Sequence, residues 1–173
     1  MTAPVQNAVV QALQRVLAAQ HAAVYSYPVV GVALRESGQV RLARQLETRH
    51  RHTRDELMAQ LVARRATPVP AEASYTAPQP VTGPADAQRW ALELEQACAG
   101  AYRYLLVAPV LATKAAAGKS TDAGGTGGTA LGAAEQVALR RQALTGLSDA
   151  ALNATEWRSL LSPTAPTVAF PGL

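Results

Sequence analysis

The chain has 173 residues, a formal net charge of +4 and a hydrophobic share of 49%. That length fits one domain, and that hydrophobic share is enough to build a core, so wholesale disorder is excluded. Cys98 is the one cysteine, which excludes an internal disulfide and fits a reducing compartment. The first residues lack the basic and apolar regions of a secretory signal, and no continuous apolar run predicts a transmembrane helix. We therefore expect a cytoplasmic protein that does not enter a membrane.

Four helical segments follow one another along the chain. The apolar spacing predicts helices over about 3–36, 39–65, 84–117 and 133–161. Ser37 and Gly38 form the predicted stop of the first helix, and Pro84 is a favourable first residue for the third. No segment alternates between apolar and polar residues, so we predict no sheet.

The segments between the helices have distinct compositions. Residues 66–84 contain five prolines and predict an extended crossover, because proline cannot continue a helix. Residues 118–132 are rich in glycine and predict a flexible loop, and residues 162–173 predict a proline-rich tail. The domain would then cover residues 1–161.

Two helical hairpins joined by a long crossover are the outline of a four-helix bundle of the ferritin-like type. We therefore predict an all-α, ferritin-like four-helix bundle with its long crossover between the second and third helices. A bundle of that type can carry a di-iron site made of an acid from each of two helices and a Glu-x-x-His pair from each of the other two.

Polar residues on the predicted helix faces partly match that site. Glu47 and His50 are a literal Glu-x-x-His pair, whose spacing places both side chains on one helix face. Glu95 supplies an acid on the third helix, and Glu135 supplies one on the fourth. The candidate metal ligands are therefore Glu47, His50, Glu95 and Glu135, with Gln20 and His21 adjacent to them.

The other half of the site is missing. Gln20 occupies the centre of the inward stripe of the first helix, and an amide is a poor iron ligand. Ala138 stands where the second histidine would be. Arg140 is expected to point inward, where its permanent positive charge would replace a metal and pair with Glu95 or Glu47. We therefore predict no cofactor, the alternative being iron or another divalent metal.

Several segments resemble a ferritin-like family of unknown function from actinobacteria. The segment AAQHAAVYSYPVVG is similar to the opening helix of that family, as are RHRHTRDEL, LEQAC, ATEWR and the terminal FPGL to later parts of it. The resemblance implies a ferritin-like bundle but no established activity. The family usually has glutamate where this chain has Gln20. The chain therefore differs from the family at a candidate metal-ligand position.

Three functions fit these observations. The first is a non-catalytic interaction or scaffold module with a degenerate metal centre, whose partner is an unknown protein or a second copy of the chain in a homodimer. The second is a carboxylate and histidine metal protein with di-iron-type oxidase, peroxidase or iron-handling activity. The third is a basic surface that binds nucleic acid or an acidic partner, which we do not favour because acidic residues are interspersed. Its candidate residues are Arg41, Arg44, Arg51 and Arg54.

Overall fold

The computed structural model describes residues 4–117 and 131–162. Four α-helices are present: α1 (Pro4–Ala33), α2 (Ser37–Ala63), α3 (Pro84–Ala117) and α4 (Ala133–Leu161). Within these ranges there is no strand, so the prediction of an all-α chain with four helices is confirmed. Most of the predicted glycine-rich loop and nearly all of the predicted tail lie outside the described residues.

The helix ends agree with the sequence for α3 and α4 and differ slightly for α1 and α2. Ser37 and Gly38 do not stop α1 but open α2, because the backbone carbonyl of Glu36 already accepts a hydrogen bond from the amide of Val40 at 3.0 Å. At its other end α2 stops two residues before Arg65, which adopts the left-handed φ of 58°. That backbone conformation cannot continue a right-handed helix.

All neighbouring helices run antiparallel. α1 packs against α2 and α3, and α4 packs against α3. Two contacts along each interface show the direction, because the residue number rises in one helix as it falls in the other. Between α1 and α2, Gln20 contacts His50 and Gly31 lies near Ala43. Between α1 and α3, Arg15 contacts Tyr104 and Tyr27 contacts Glu95. Between α3 and α4, Glu95 contacts Asn153 and Tyr102 lies near Gly146. α2 and α3 are therefore parallel, and the connection between them must cross the length of the bundle.

That crossover runs beside α1. Gln14 fixes its first part, since its side chain donates to the carbonyl of Thr67 and accepts from the amide of Val69, both at 2.7 Å. Further along, the rings of Tyr25 and Tyr75 lie 5.4 Å apart. The proline-rich segment is therefore held against the bundle by side chains of α1, in place of helical hydrogen bonds of its own.

The core has two large apolar clusters with a polar layer between them, and a small third cluster of Cys98, Ala99 and Ala150 lies beside that layer. One cluster lies towards the start of α1 and includes Leu13, Leu57, Leu105 and Leu139. The other lies towards the end of α1 and includes Tyr27, Leu46, Leu94 and Trp157. The buried polar residues Gln20, His50 and Glu95 lie at the level between the two clusters.

The bundle is least closely packed between α2 and α4. Within the described ranges, no Cα atom of α2 comes within 8 Å of one in α4. Side chains bridge one end of this seam, where Gln60 and Gln142 exchange two hydrogen bonds and Arg64 pairs with Glu135 at 2.6 Å. The rest of the seam leaves room for solvent to approach the polar layer.

The first helix also has the length and composition of a membrane-spanning helix. Asn7–Ala33 reaches a mean hydropathy of 1.2 in its most apolar window. The sequence did not predict this property, because polar residues interrupt the apolar run of this helix. The apolar residues of this stretch include Val9, Leu13 and Leu17, which are fully buried in the bundle.

Candidate functional site

His50 is the centre of the polar layer. Its Nδ1 atom lies 2.7 Å from Oε1 of Gln20, and its Nε2 atom lies 2.9 Å from Oε1 of Glu95. Both ring nitrogens are therefore engaged, one by α1 and one by α3. The imidazole is buried, with 6% of the residue exposed.

Glu95 is fully buried and uses both carboxylate oxygens. Its Oε1 atom also accepts from the hydroxyl of Tyr27 at 2.5 Å, and its Oε2 atom accepts from Nδ2 of Asn153 at 3.2 Å. The indole of Trp157 donates to the same tyrosine oxygen at 3.1 Å. A buried carboxylate is tolerated only when it is hydrogen-bonded and paired in this way.

The ring of Tyr27 is stacked on His50, with centroids 5.3 Å apart and planes inclined by 20°. Burial and the neighbouring Glu95 carboxylate raise the pKa of Tyr27 well above its ordinary value. Its hydroxyl therefore keeps its proton and donates to Glu95.

Cys98 is the last member of the network and contacts Gln20. Nε2 of Gln20 lies 3.7 Å from Sγ of Cys98 and donates to it. Burial, followed by the charge of Glu95, raises the pKa of the Cys98 thiol well above its ordinary value. A thiol that keeps its proton is a poor nucleophile and a poor metal ligand.

The orientation of Gln20 determines which of its atoms faces Nδ1 of His50. Since the amide nitrogen of Gln20 faces Cys98, its oxygen faces Nδ1 of His50 and accepts a proton from it. The Glu95 oxygen facing Nε2 also accepts from Tyr27, as an ionised carboxylate does. In this arrangement Nδ1 of His50 faces an amide oxygen, and Nε2 lies within hydrogen-bond distance of a carboxylate oxygen.

The predicted metal ligands are not brought together. His50 and Glu95 meet, but Glu47 is directed to Arg51 one turn along the same helix, with which it forms an ion pair. Glu135 pairs with Arg64 at one end of the seam, several turns of α4 away from Asn153. Across the described part of the chain there is no cluster of three or more His, Cys, Asp or Glu residues that could hold a metal ion.

Arg140 does not point inward as predicted, and His21, which is adjacent to the candidate ligands in the sequence, is turned away from them. Arg140 is exposed, because Leu139 takes the buried position of that turn of α4 and the next residue is turned about 100° away. His21 faces the crossover, where its Nε2 atom lies 3.1 Å from the carbonyl oxygen of Val69. Neither side chain reaches Glu95.

Sequence reasoning also missed three members of the network. Tyr27, Asn153 and Trp157 are not among the predicted site residues, although all three are hydrogen-bonded within the network. Asn153 lies one helical turn before Trp157, so both project from α4 at the level of the polar layer. A buried Trp or Tyr that needs a partner for its polar atom was the signal available.

A small cavity opens from the seam onto this network. It has a volume of about 60 Å³, and we call it the seam cavity. Its deepest residues are His50, Glu95 and Cys98, its walls include Thr53 and Tyr102, and the exposed Arg49 and Asp149 lie at its mouth. The buried ion pair is thus next to a space large enough for a few water molecules.

Together, the fold and the site define an all-α four-helix bundle with a buried polar network between two apolar clusters. The chain belongs to the family described as "Domain of unknown function (DUF4439)", which matches residues 12–123. It is also similar to the crystal structure of a conserved hypothetical protein, rv2844, from Mycobacterium tuberculosis. The two share 30% identity over 90% of this chain and 98% of that chain, with a TM-score of 0.68. No protein with a curated description matches the chain.

These comparisons confirm part of the resemblance seen in the sequence. The chain does belong to a family of unknown function, and a mycobacterial protein, which is actinobacterial, shares its fold. The matched residues cover most of α1, all of α2, the crossover and all of α3. His50, Glu95 and Gln20 all lie inside that match.

Proposed function

We propose that this chain is a ferritin-like bundle in which a hydrogen-bonded ion pair replaces a metal centre, and that it acts as a non-catalytic interaction or scaffold module. The observation that carries the proposal is the hydrogen bonding of His50 and Glu95. Both nitrogens of His50 and both oxygens of Glu95 are hydrogen-bonded to other side chains of the bundle.

The ferritin-like part of the proposal is supported by the helix directions. Two antiparallel hairpins with a long crossover between α2 and α3 are the arrangement of bundles that carry one crossover connection. In such bundles, carboxylates and histidines project inward at mid-height to bind two metal ions. Gln20, His50 and Glu95 lie at the corresponding level, between the two apolar clusters.

The donor set here does not fit iron or another hard divalent metal. One carboxylate and one imidazole converge, and the third side chain in contact with them is an amide. A metal would have to displace the imidazolium proton of His50 and compete with the Tyr27 hydroxyl for Glu95. The positive charge that neutralises Glu95 is supplied by His50 itself, in the role that Arg140 was expected to fill.

The test is the metal content of the wild type and two variants, each purified without an affinity tag after growth with added iron. We expect the wild-type protein and the His50→Ala variant to carry no stoichiometric metal. Gln20→Glu adds a second carboxylate beside His50 and Glu95, and we expect it to bind divalent metal more tightly than the wild type. Stoichiometric iron in the wild type that is lost in His50→Ala would replace the proposal with the metal-protein alternative.

Exposed apolar residues could form the surface to which a partner of this module binds. Large apolar residues are exposed on all four helices, among them Val29 and Val32 on α1 and Leu144 and Leu152 on α4. We propose a protein partner or a second copy of the chain as the ligand of these surfaces, in the cytoplasm. Sedimentation equilibrium of the wild type tests the second copy, and a concentration-independent monomer mass would refute it.

The arginine-rich face of α2 gives less support to a nucleic-acid function. Arg51 is paired with Glu47, and Arg54 is paired with Asp55. Each ion pair leaves less positive charge free for phosphate groups, so we do not advance this function further.

A further inference from the structure

The last part of α1 carries a contiguous apolar surface that the rest of the bundle leaves uncovered. Pro28, Val29 and Val32 are exposed within about one turn of the helix, and Val32 is 88% exposed. Together with Val81 at the end of the crossover, they line one shallow hollow. Single exposed apolar side chains are ordinary, whereas a contiguous apolar patch is typical of an interaction site.

A second hollow, the α1–α2 hollow, lies on the other side of Val32. Its volume is about 310 Å³. Gly31 and Ala43 lie against each other there, and their small size leaves this space between the two helices. A closed cavity of about 150 Å³ holds a benzene molecule, so this hollow has room for an aliphatic side chain. Val32 lines both hollows and projects between them.

The rim of the α1–α2 hollow carries one charge of each sign. Arg44 and Glu47 lie about one turn apart on α2 and both line this hollow. The guanidinium of Arg44 is exposed and takes part in none of the ion pairs of the described residues. Glu47 pairs with Arg51 through one carboxylate oxygen, and a carboxylate can accept from a second donor at the same time.

These features are the ones that a two-fold symmetric contact requires. Such a contact uses the same patch on both subunits, so a projection and its hollow, and a cation and its anion, must all lie on one patch. Val32 and the α1–α2 hollow meet the first condition, and Arg44 and Glu47 meet the second. An anionic lipid surface or an acidic protein would be attracted by Arg44 but repelled by Glu47.

We propose that this surface binds a second copy of the chain about a two-fold axis. Val32 of each copy enters the α1–α2 hollow of the other, and Arg44 of each copy pairs with the partner subunit's Glu47. The inference rests on the interaction role proposed above and gives it a partner and a surface. It needs no change in the polar layer, so it is independent of the proposed replacement of the metal centre.

Sedimentation equilibrium of the wild type and two variants tests the surface. Measurements between about 1 μM and 1 mM cover the affinities of weak interfaces, and we expect a reversible monomer–dimer equilibrium. Val32→Asp places a charge in an apolar hollow and should weaken dimerisation by about thirtyfold or more. Val137→Asp is the matched control and should leave the Kd unchanged. Val137 is 58% exposed on α4, close to Glu135, whose partner Arg64 lies at the other end of α2.

Charge reversal tests the two-fold arrangement itself. In a dimer of Arg44→Glu, like charges face each other twice, and the same holds for Glu47→Arg. Each variant should therefore dimerise about tenfold more weakly than the wild type. In an equimolar mixture of the two variants, both contacts of a mixed dimer join opposite charges again. With one variant fluorescently labelled, sedimentation should show a mixed dimer about tenfold tighter than either variant forms with itself.

Three results would overturn the proposal. A monomer mass at every concentration would also refute the second-copy part of the proposed function. A Val32→Asp variant that dimerises like the wild type, or a mixed dimer no tighter than the others, would instead place the dimer contact on another face. None of these results bears on the metal content, which tests the replaced metal centre separately.

Circular dichroism of each variant shows whether it is folded. The substituted side chains lie at the surface, Val32 and Arg44 exposed and Glu47 half-buried, so the helices should persist. If Val32→Asp does not fold, the mixture of the two charge-reversed variants decides.

Discussion

Removing the carboxylate of Glu95 should destabilise the bundle strongly. Three side chains lose their acceptor in Glu95→Leu, namely Tyr27, His50 and Asn153. In the proposed ion pair, the charged His50 is then left in the core without its counter-charge. Breaking a buried ion pair by removing one partner costs about 3–5 kcal/mol. Since domains of this size are stable by about 5–15 kcal/mol, the variant should lose a large part of its stability.

The coupling free energy between His50 and Glu95 is a more specific test of the ion pair. His50→Leu should cost a similar amount, because it leaves Glu95 buried and charged. The double variant should be more stable than the sum of the two losses implies, by about 1–3 kcal/mol, since no unpaired charge remains.

The assay is urea unfolding followed by far-UV circular dichroism, with unchanged m-values as the check that the same transition is measured. Glu47→Gln is the matched control, because Glu47 is a glutamate of α2 paired at the surface, and its loss should cost about 0.5 kcal/mol or less. The reasoning is refuted if Glu95→Leu costs no more than this control, or if the two losses simply add.

Three further predictions follow from single side chains. Gly146→Ala should lower stability by about 1–3 kcal/mol in thermal unfolding, because the added methyl group overlaps Tyr102; an unchanged midpoint would contradict this. Ser26→Ala should be neutral or stabilise by up to about 1 kcal/mol in urea unfolding, since its buried hydroxyl has no partner in the described part of the chain; a clear loss would mean that the hydroxyl is bonded. The raised pKa of Cys98 means that the folded thiol keeps its proton while the unfolded chain releases it above the ordinary value of 9.0, so stability should fall as pH rises past about 9. Cys98→Ala should flatten that decline between about pH 9 and 10, and an equal slope in both proteins would argue against it.

The helices could be predicted because their signals are local. Apolar spacing defines each buried face, and Pro84 defines the start of α3. The turn between α1 and α2 was less predictable, since Ser37 and Gly38 can end one helix or begin the next. In the structure they begin α2, because the carbonyl of Glu36 accepts the first helical hydrogen bond of that helix.

The candidate site was predictable only in part, because helical periodicity gives a face and not a partner. Gln20 and His50 fell in the inward stripes and do meet in the core. Glu95 was predicted only as an acid on the third helix, whereas in the structure it is fully buried and bonded to Tyr27 and His50. Arg140 was predicted to point inward and is exposed. An error of one position in the assigned helix face turns a side chain by about 100° around the helix.

Proton-detected ¹⁵N NMR of the His50 ring, with and without added Fe²⁺ or Zn²⁺, tests the central claim most directly. The proposed ion pair predicts that both ring nitrogens carry protons at neutral pH, and that Zn²⁺ and Fe²⁺ leave their signals in place and undiminished. A ring with one bare nitrogen, or signals that shift or broaden with stoichiometric metal, would show that His50 is a metal ligand and would contradict the account.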